Sequence, residues 1–299
     1  MFPDEFDYYQ ADSVAEARDL LAEHAGAEVE LLAGGHSLIP TMKSGLASPD
    51  ILIDISGIDD LRGIEWGDDG VTVGATTTYA EFLDAEAVAD VAPAFYDAVE
   101  HVGDRQVKNR GTIGGNLAHA DPAADLPGAA LAADAEITIL GDDGERTVPA
   151  DEFFLGMYMT DVGMEEIVTS VTLSGPSDRV TGAYAKKASP SSGYAIVGVA
   201  VRLELAEGEI TRARVGANGA LDHGVRLEPV EDRLTGATPG TDGLAEEAGA
   251  VALEAVDESR LMSDSQASAE FRGALLETYT TRAIADALER ARANASTAD

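Results

Sequence analysis

Cysteine is absent from the 299 residues, which excludes disulfide bonds and any iron–sulfur cluster held by thiolates of this chain. Lysine is nearly absent too: Lys43, Lys108, Lys186 and Lys187 are the only four. With 20 Lys and Arg against 55 Asp and Glu, the formal net charge is −35, a field that repels nucleic acid and anionic membranes. No run approaches the length of an uninterrupted apolar span. The start, MFPDEFDYYQADSV, carries acid where a secretory signal needs base and then an apolar stretch. A cytoplasmic protein with no membrane span is expected. Five histidines are scattered without ligand spacing, so no metal site is expected. No Ser/His/Asp constellation stands out, and no residue is assigned a catalytic role. Neither G-x-G-x-x-G nor G-x-x-x-x-G-K-[ST] occurs, which removes the Rossmann and P-loop readings.

The chain is too long for one small core, so two or three subdomains able to enclose a sizeable ligand are expected. Acidic residues run through the whole chain instead of forming one tail, a pattern suited to a halophilic, strongly solvated surface. From the start, DSVAEARDLLAEH predicts a helix capped at Asp12 or Ser13. VELLAGG predicts a short buried strand ending in a glycine turn, and ILIDIS a second strand from Ile51 to Ser56. This βαβ-like unit closes near Leu61, giving a first subdomain over 1–60. GVTVGA reads as a strand, and TTYAEFLDAEAVADVAPAFYDAVEHV as helix broken around Pro93. DDG between apolar runs predicts a hairpin, and EEIVTSVTL one more strand. SGPSD at Ser174–Asp178 marks a boundary, so the second subdomain spans 61–174 and the third 175–299. In the third, GAYAKKA, YAIVGVAVRLEL and EITRARVGANGA predict strands. ATPGTDGLAEEAGAVALEAV predicts a helix with Thr and Asp caps, and a last helix carries Phe271, Leu275, Tyr279, Ala283 and Leu288 near a 3.6 period. The end, ANASTAD, is expected to fray.

Two glycine-rich turns hold the chemistry. AGGHS (Ala33, Gly34, Gly35, His36, Ser37) and TIGGN (Thr112 to Asn116, with Gly114 and Gly115) each expose backbone amides, which cradle a pyrophosphate without any cation. Glycine lets the backbone approach closely, and Ser37, Thr112 and Asn116 add neutral hydrogen-bonding groups. A tight structural turn explains either one alone; a ligand between them explains both.

These residues resemble the FAD-binding medium subunit of the molybdenum hydroxylases, the family that includes carbon monoxide dehydrogenase, xanthine dehydrogenase and aldehyde oxidoreductases. The resemblance rests on AGGHSLIP, PDILIDISGIDDLRGI, VGATTTYAEF, VKNRGTIGGNLAHADPAADLP and YAKKASPSSGYAIVGVAV. It implies an α+β fold: a two-part flavin-binding fold of the vanillyl-alcohol-oxidase type, then a three-stranded antiparallel sheet with a helical bundle. It implies noncovalent FAD, with the pyrophosphate and ribitol against Ala33, Gly34, Gly35, His36, Ser37, Thr112, Gly114, Gly115 and Asn116. Asp125 would accept from sugar hydroxyls, the alternative being that Asp121, or less readily Asp125, caps the following helix, and Thr76 would lie near the cofactor. Lys186 would stand near the N1–C2=O edge of the isoalloxazine, with Lys187 as the alternative. Tyr194 would cover a flavin face or sit in the core. An arginine after the matched lysine and an acidic residue before the matched tyrosine, usual in the family, are missing here. The resemblance further implies an iron–sulfur small subunit, a molybdopterin large subunit and an external electron acceptor. Alternatives are a stand-alone flavin reductase like the enolpyruvoyl reductase of cell-wall synthesis, and an assembly subunit with no turnover of its own.

Overall fold

Three sheets in chain order carry the architecture. The computed structural model describes residues 2–67, 70–175 and 179–296; Pro176–Asp178 of the expected boundary and residues 297–299 of the terminal segment lie outside them.

The first sheet is wholly parallel. Asp7–Gln10 and Val29–Leu32 flank Ile51–Asp54, with Asp7 and Val29 both opposite Ile51. Only the central strand is buried, through Leu52 and Ile53. Val29–Leu32 is a half-buried edge strand, not the buried one its apolar letters predict. The helix Val14–Glu23 begins at Ser13, whose hydroxyl accepts from the Glu16 amide at 3.2 Å, and Leu38–Ser44 forms the second crossover helix.

The second sheet has five antiparallel strands in the order Ile64–Gly67, Gly70–Gly74, Ile167–Ser174, Glu136–Gly141, Gly144–Pro149. The predicted DDG turn joins the last two. The segment before it breaks twice: a helix Tyr79–Asp84 ends at Ala85, and Pro93 opens the next helix, Pro93–Glu100, at its first position. Proline has no N–H to lose there and a φ already suited to a helix. A core of Phe82, Phe95, Phe153, Ile113, Leu117 and Leu126 seats the helix Ile113–His119 on this sheet, while the neighbouring helix Leu126–Ala132 packs against the strands of the third sheet.

The third sheet is antiparallel: Arg179–Ala188, Ala195–Ala206, Glu209–Asn218 and a two-residue fourth strand, Val225–Arg226, that the sequence reading lacked. The long helix Ala269–Ser296 packs across its first two strands. In place of one capped helix over the alanine-rich segment there are the short Leu244–Gly249, preceded by left-handed Gly243 with no side-chain cap, and a 3₁₀ turn, Ala252–Ala255. No helix among the described residues is long and apolar enough to cross a membrane.

Candidate functional site

The glycine turn at 33–37 leaves the carboxyl end of its parallel strand, where open α/β sheets receive ligands. It meets the other turn backbone to backbone. A Cβ on Gly34 would lie 2.1 Å from the Arg110 carbonyl oxygen and 2.9 Å from the Gly111 Cα, so only glycine permits the approach. Between the turns runs a cleft of about 460 Å³ bordered by Ala33, Gly34, Gly35, His36, Ser37, Thr76, Thr112, Gly114, Gly115 and Asn116. Ten of the thirteen sequence-predicted residues thus come together on one wall system.

The first turn offers unused donors. Among the described residues, the amides of Gly34, Gly35, His36 and Ser37 have no acceptor, and Gly35 is left-handed at φ 72°, so successive N–H groups form an anion-binding concavity. The second turn is more committed. Its Ile113 and Gly114 amides already donate to the carbonyls of Thr77 (3.0 Å) and Ala75 (2.9 Å). A Cβ on Gly114 would fall 2.5 Å from the Ala75 Cβ and 2.7 Å from its Cα, so this glycine is demanded by the protein interior as well. Gly115 differs: its added Cβ would meet the Thr112 Oγ1 at 2.5 Å and the Ala33 Cβ at 3.5 Å, between the two turns.

Two polar oxygens beside the cleft, Thr112 Oγ1 and Asn116 Oδ1, are buried without a partner among the described residues. Leaving such a group unpaired costs about 1–3 kcal/mol. The Asn116 amide nitrogen donates to the Tyr79 hydroxyl at 2.9 Å, which fixes the orphaned Oδ1 as an acceptor. Free amides for phosphate oxygens, one hydroxyl and one amide oxygen for sugar hydroxyls match the chemistry of FAD. Thr76 is buried and its hydroxyl donates to the Leu61 carbonyl at 3.0 Å, so it borders the cleft without a free donor.

Asp125 and Lys186 pair with each other outside this lining. The Asp125 carboxylate accepts from Lys186 Nζ at 2.7 Å and from the Tyr184 hydroxyl at 2.5 Å. The same ammonium donates to the carbonyls of His101 (3.0 Å) and Gly193 (2.9 Å). Burial pushes the Asp125 carboxyl up, and the Lys186 charge with both hydrogen bonds pulls it back. Lys187, next along the strand, takes the opposite face. Neither Asp121 nor Asp125 caps the helix Leu126–Ala132 through its side chain; Asp121 instead accepts from the Ala123 amide at 2.9 Å. The intervening loop is pinned to the third sheet by Ala195 N–H to the Ala123 carbonyl (3.0 Å) and Gly219 N–H to the Pro122 carbonyl (2.7 Å). Tyr194, 41% exposed, reaches from that sheet to Ser37, and burial pushes its phenol up.

Sequence reasoning missed Tyr79 and Tyr158, which border the cleft, and Tyr184 behind Asp125. Tyr79 stood inside VGATTTYAEF, three residues past the matched Thr76, and offered only its aromatic ring as a signal. His119, set aside as a metal ligand, also borders the cleft, and burial lowers its pKa. No cluster of three or more metal-ligating side chains occurs among the described residues.

Comparison with known proteins agrees with this geometry. The profile described as FAD binding domain in molybdopterin dehydrogenase matches residues 4–174, and that of the CO dehydrogenase flavoprotein C-terminal domain matches residues 182–287. The chain is 36% identical to the carbon monoxide dehydrogenase medium chain of Hydrogenophaga pseudoflava over 79% of its length and 82% of that protein's. It is 34% identical to the nicotine 6-hydroxylase medium subunit of Paenarthrobacter nicotinovorans, over 94% and 96%. Among solved structures, a carbon monoxide dehydrogenase from Hydrogenophaga pseudoflava superposes with a TM-score of 0.90 at 34% identity, covering 97% of this chain and 99% of that one. Quinoline 2-oxidoreductase from Pseudomonas putida 86 gives 0.88 at 28%, covering 97% and 99%. The α+β fold, the two facing glycine turns and both matched segments make one statement: the chain belongs to the FAD-binding medium-subunit family of the molybdenum hydroxylases, as an oxidoreductase flavoprotein subunit.

Proposed function

We propose that this chain is the electron outlet of a heteromeric molybdenum hydroxylase, receiving electrons from iron–sulfur clusters of a small partner subunit, themselves supplied by a molybdopterin large subunit, and delivering them to an external acceptor in the cytoplasm. The observation that carries the reading is the cleft, where four unpartnered amides face two orphaned polar oxygens across the glycine turns. The lack of cysteine supports it from the other side, since the clusters must then sit in another chain.

Ala33 to Ser37 and Thr112, Gly114, Gly115 and Asn116 would hold the pyrophosphate and ribitol by backbone amides and neutral side chains, with Thr76 closing the wall. Bound FAD supplies the ability to take up electrons singly and release them as a pair. Lys186, held by Asp125 behind the cleft lining, would direct its positive charge toward the N1–C2=O edge; Asp125 in turn holds the ammonium's direction, and Tyr194 would cover one face from beside the third sheet. In the subdivision 1–60, 61–174 and 175–299, the first two parts line the cleft and the third would bring Lys186 and Tyr194 to the flavin, and the match over 182–287 favours a hydroxylase subunit over a stand-alone flavin reductase.

The purified chain is expected to be yellow and to release all its flavin into the supernatant on acid precipitation, because no covalent link holds it. Flavin retained in the pellet would reject noncovalent binding, and a folded preparation that takes up no added FAD would reject the site. Affinity purification under gentle conditions is expected to bring down an iron–sulfur and a molybdopterin chain.

A further inference from the structure

We propose that Tyr158 is a cofactor-contacting residue, its ring supplying an aromatic surface against the isoalloxazine. This rests on the flavin reading of the cleft and assigns a part of it that the glycine turns do not cover.

Strands Phe154–Gly156 and Met159–Thr160 form a separate two-stranded hairpin. Its tip residue, Tyr158, has φ 55°, a left-handed conformation that a bulky side chain disfavours and that glycine or asparagine would adopt readily. Its amide donates to the Ala120 carbonyl at 3.2 Å, and Ala120, which ends the helix begun by the Thr112 turn, is itself left-handed at φ 48°. Two strained non-glycine residues are therefore locked together at the far end of the helix that carries Gly114, Gly115 and Asn116. Strain of this kind clusters at functional sites.

Packing does not explain the tyrosine, because it is 57% exposed. Its ring lies 5.1 Å from that of His119, tilted by 49°, and both residues border the cleft. The phenol is also near enough to Tyr194 to disfavour that group's ionisation. A half-open ring, fixed by a strained backbone beside a second half-open tyrosine, suits a flat conjugated ligand that completes both surfaces.

The test uses the full chain loaded with FAD and compares Y158N with Y158F. Asparagine relieves the backbone and removes the ring. Y158N should keep or raise the apo melting temperature while FAD Kd rises about tenfold and bound-flavin fluorescence increases, the quenching phenol being gone. Y158F, which keeps the ring, should stay near wild type in Kd. Wild-type Kd and emission in Y158N would overturn the proposal. So would a loss of affinity shared by ADP with no change in flavin emission, which would put the ring on adenine. A wild-type chain that binds no FAD would instead remove the reading of the cleft, and this proposal with it.

Discussion

At the residue scale, the adjacent glycines of TIGGN look equivalent in the sequence and are not equivalent in the fold. Gly114 faces the Ala75 backbone, which cannot yield, and Gly115 faces a threonine hydroxyl that can rotate away. Gly114→Ala should therefore destabilise the apo protein by about 1–3 kcal/mol through overpacking, read as a fall in melting temperature. Gly115→Ala should leave the apo melting temperature within a degree or two and weaken FAD, since its methyl narrows the gap between Ala33 and Thr112. Equal melting temperatures for the two variants would count against this division. The sequence revealed the pair because glycine doublets are rare and carry phosphate chemistry. It did not reveal which glycine serves the core, because that depends on Ala75, 39 positions away in the chain.

At the scale of elements, strands and helices with strong periodicity were legible and weakly marked ones were not. The three long strands of the third sheet appear where alternation predicts them, whereas Asp7–Gln10 reads as DYYQ with mostly exposed positions and has no apolar face to betray it. In the last helix, Leu275, Ala283 and Leu288 of the predicted stripe are buried, whereas at Phe271 and Tyr279 the buried seam runs one residue further on. Phe271 is 46% exposed, while Arg272, Leu276, Thr280 and Ile284 are buried. The seam is hidden because two of its members are polar. Arg272 explains itself structurally: it donates to the carbonyls of Ile196 and Gly219, both at 2.6 Å, and to Asp264 at 2.6 Å. Those two strand ends are the ones to which the Asp121–Asp125 loop is pinned. Arg272→Met should cost roughly 2–4 kcal/mol by leaving buried carbonyls unpaired and should also loosen FAD, although residue 272 does not border the cleft. Normal flavin retention in a destabilised Arg272→Met chain, measured by equilibrium dialysis, would show that the loop holds its place without this clamp.

At the scale of the whole molecule, much of the scarce positive charge is drawn into ion pairs between elements. Arg212 and Arg214 share Asp134, Arg226 joins Glu231 to Asp151, and Arg290 reaches Asp97. The surface keeps an uncompensated excess of acid within a net −35. Screening shortens from about 30 Å at 0.01 M salt to about 3 Å at 1 M. Melting temperature and flavin retention should thus both climb as KCl rises from tens of millimolar to molar, and climb further than an excluded, uncharged osmolyte takes them. Equal restoration by the osmolyte at low ionic strength would refute screening as the cause. The meeting of distant segments at the cleft also sets an order of events during synthesis. Both glycine turns are synthesised by residue 116, but the strand ends that anchor the Asp121–Asp125 loop come at 195 and 219 and their arginine clamp only at 272. Domains form as their sequence emerges, so the nascent chain passes through a long interval with its glycine turns made and the contacts that pin the Asp121–Asp125 loop still missing, and that loop is among the last parts of the site to be fixed.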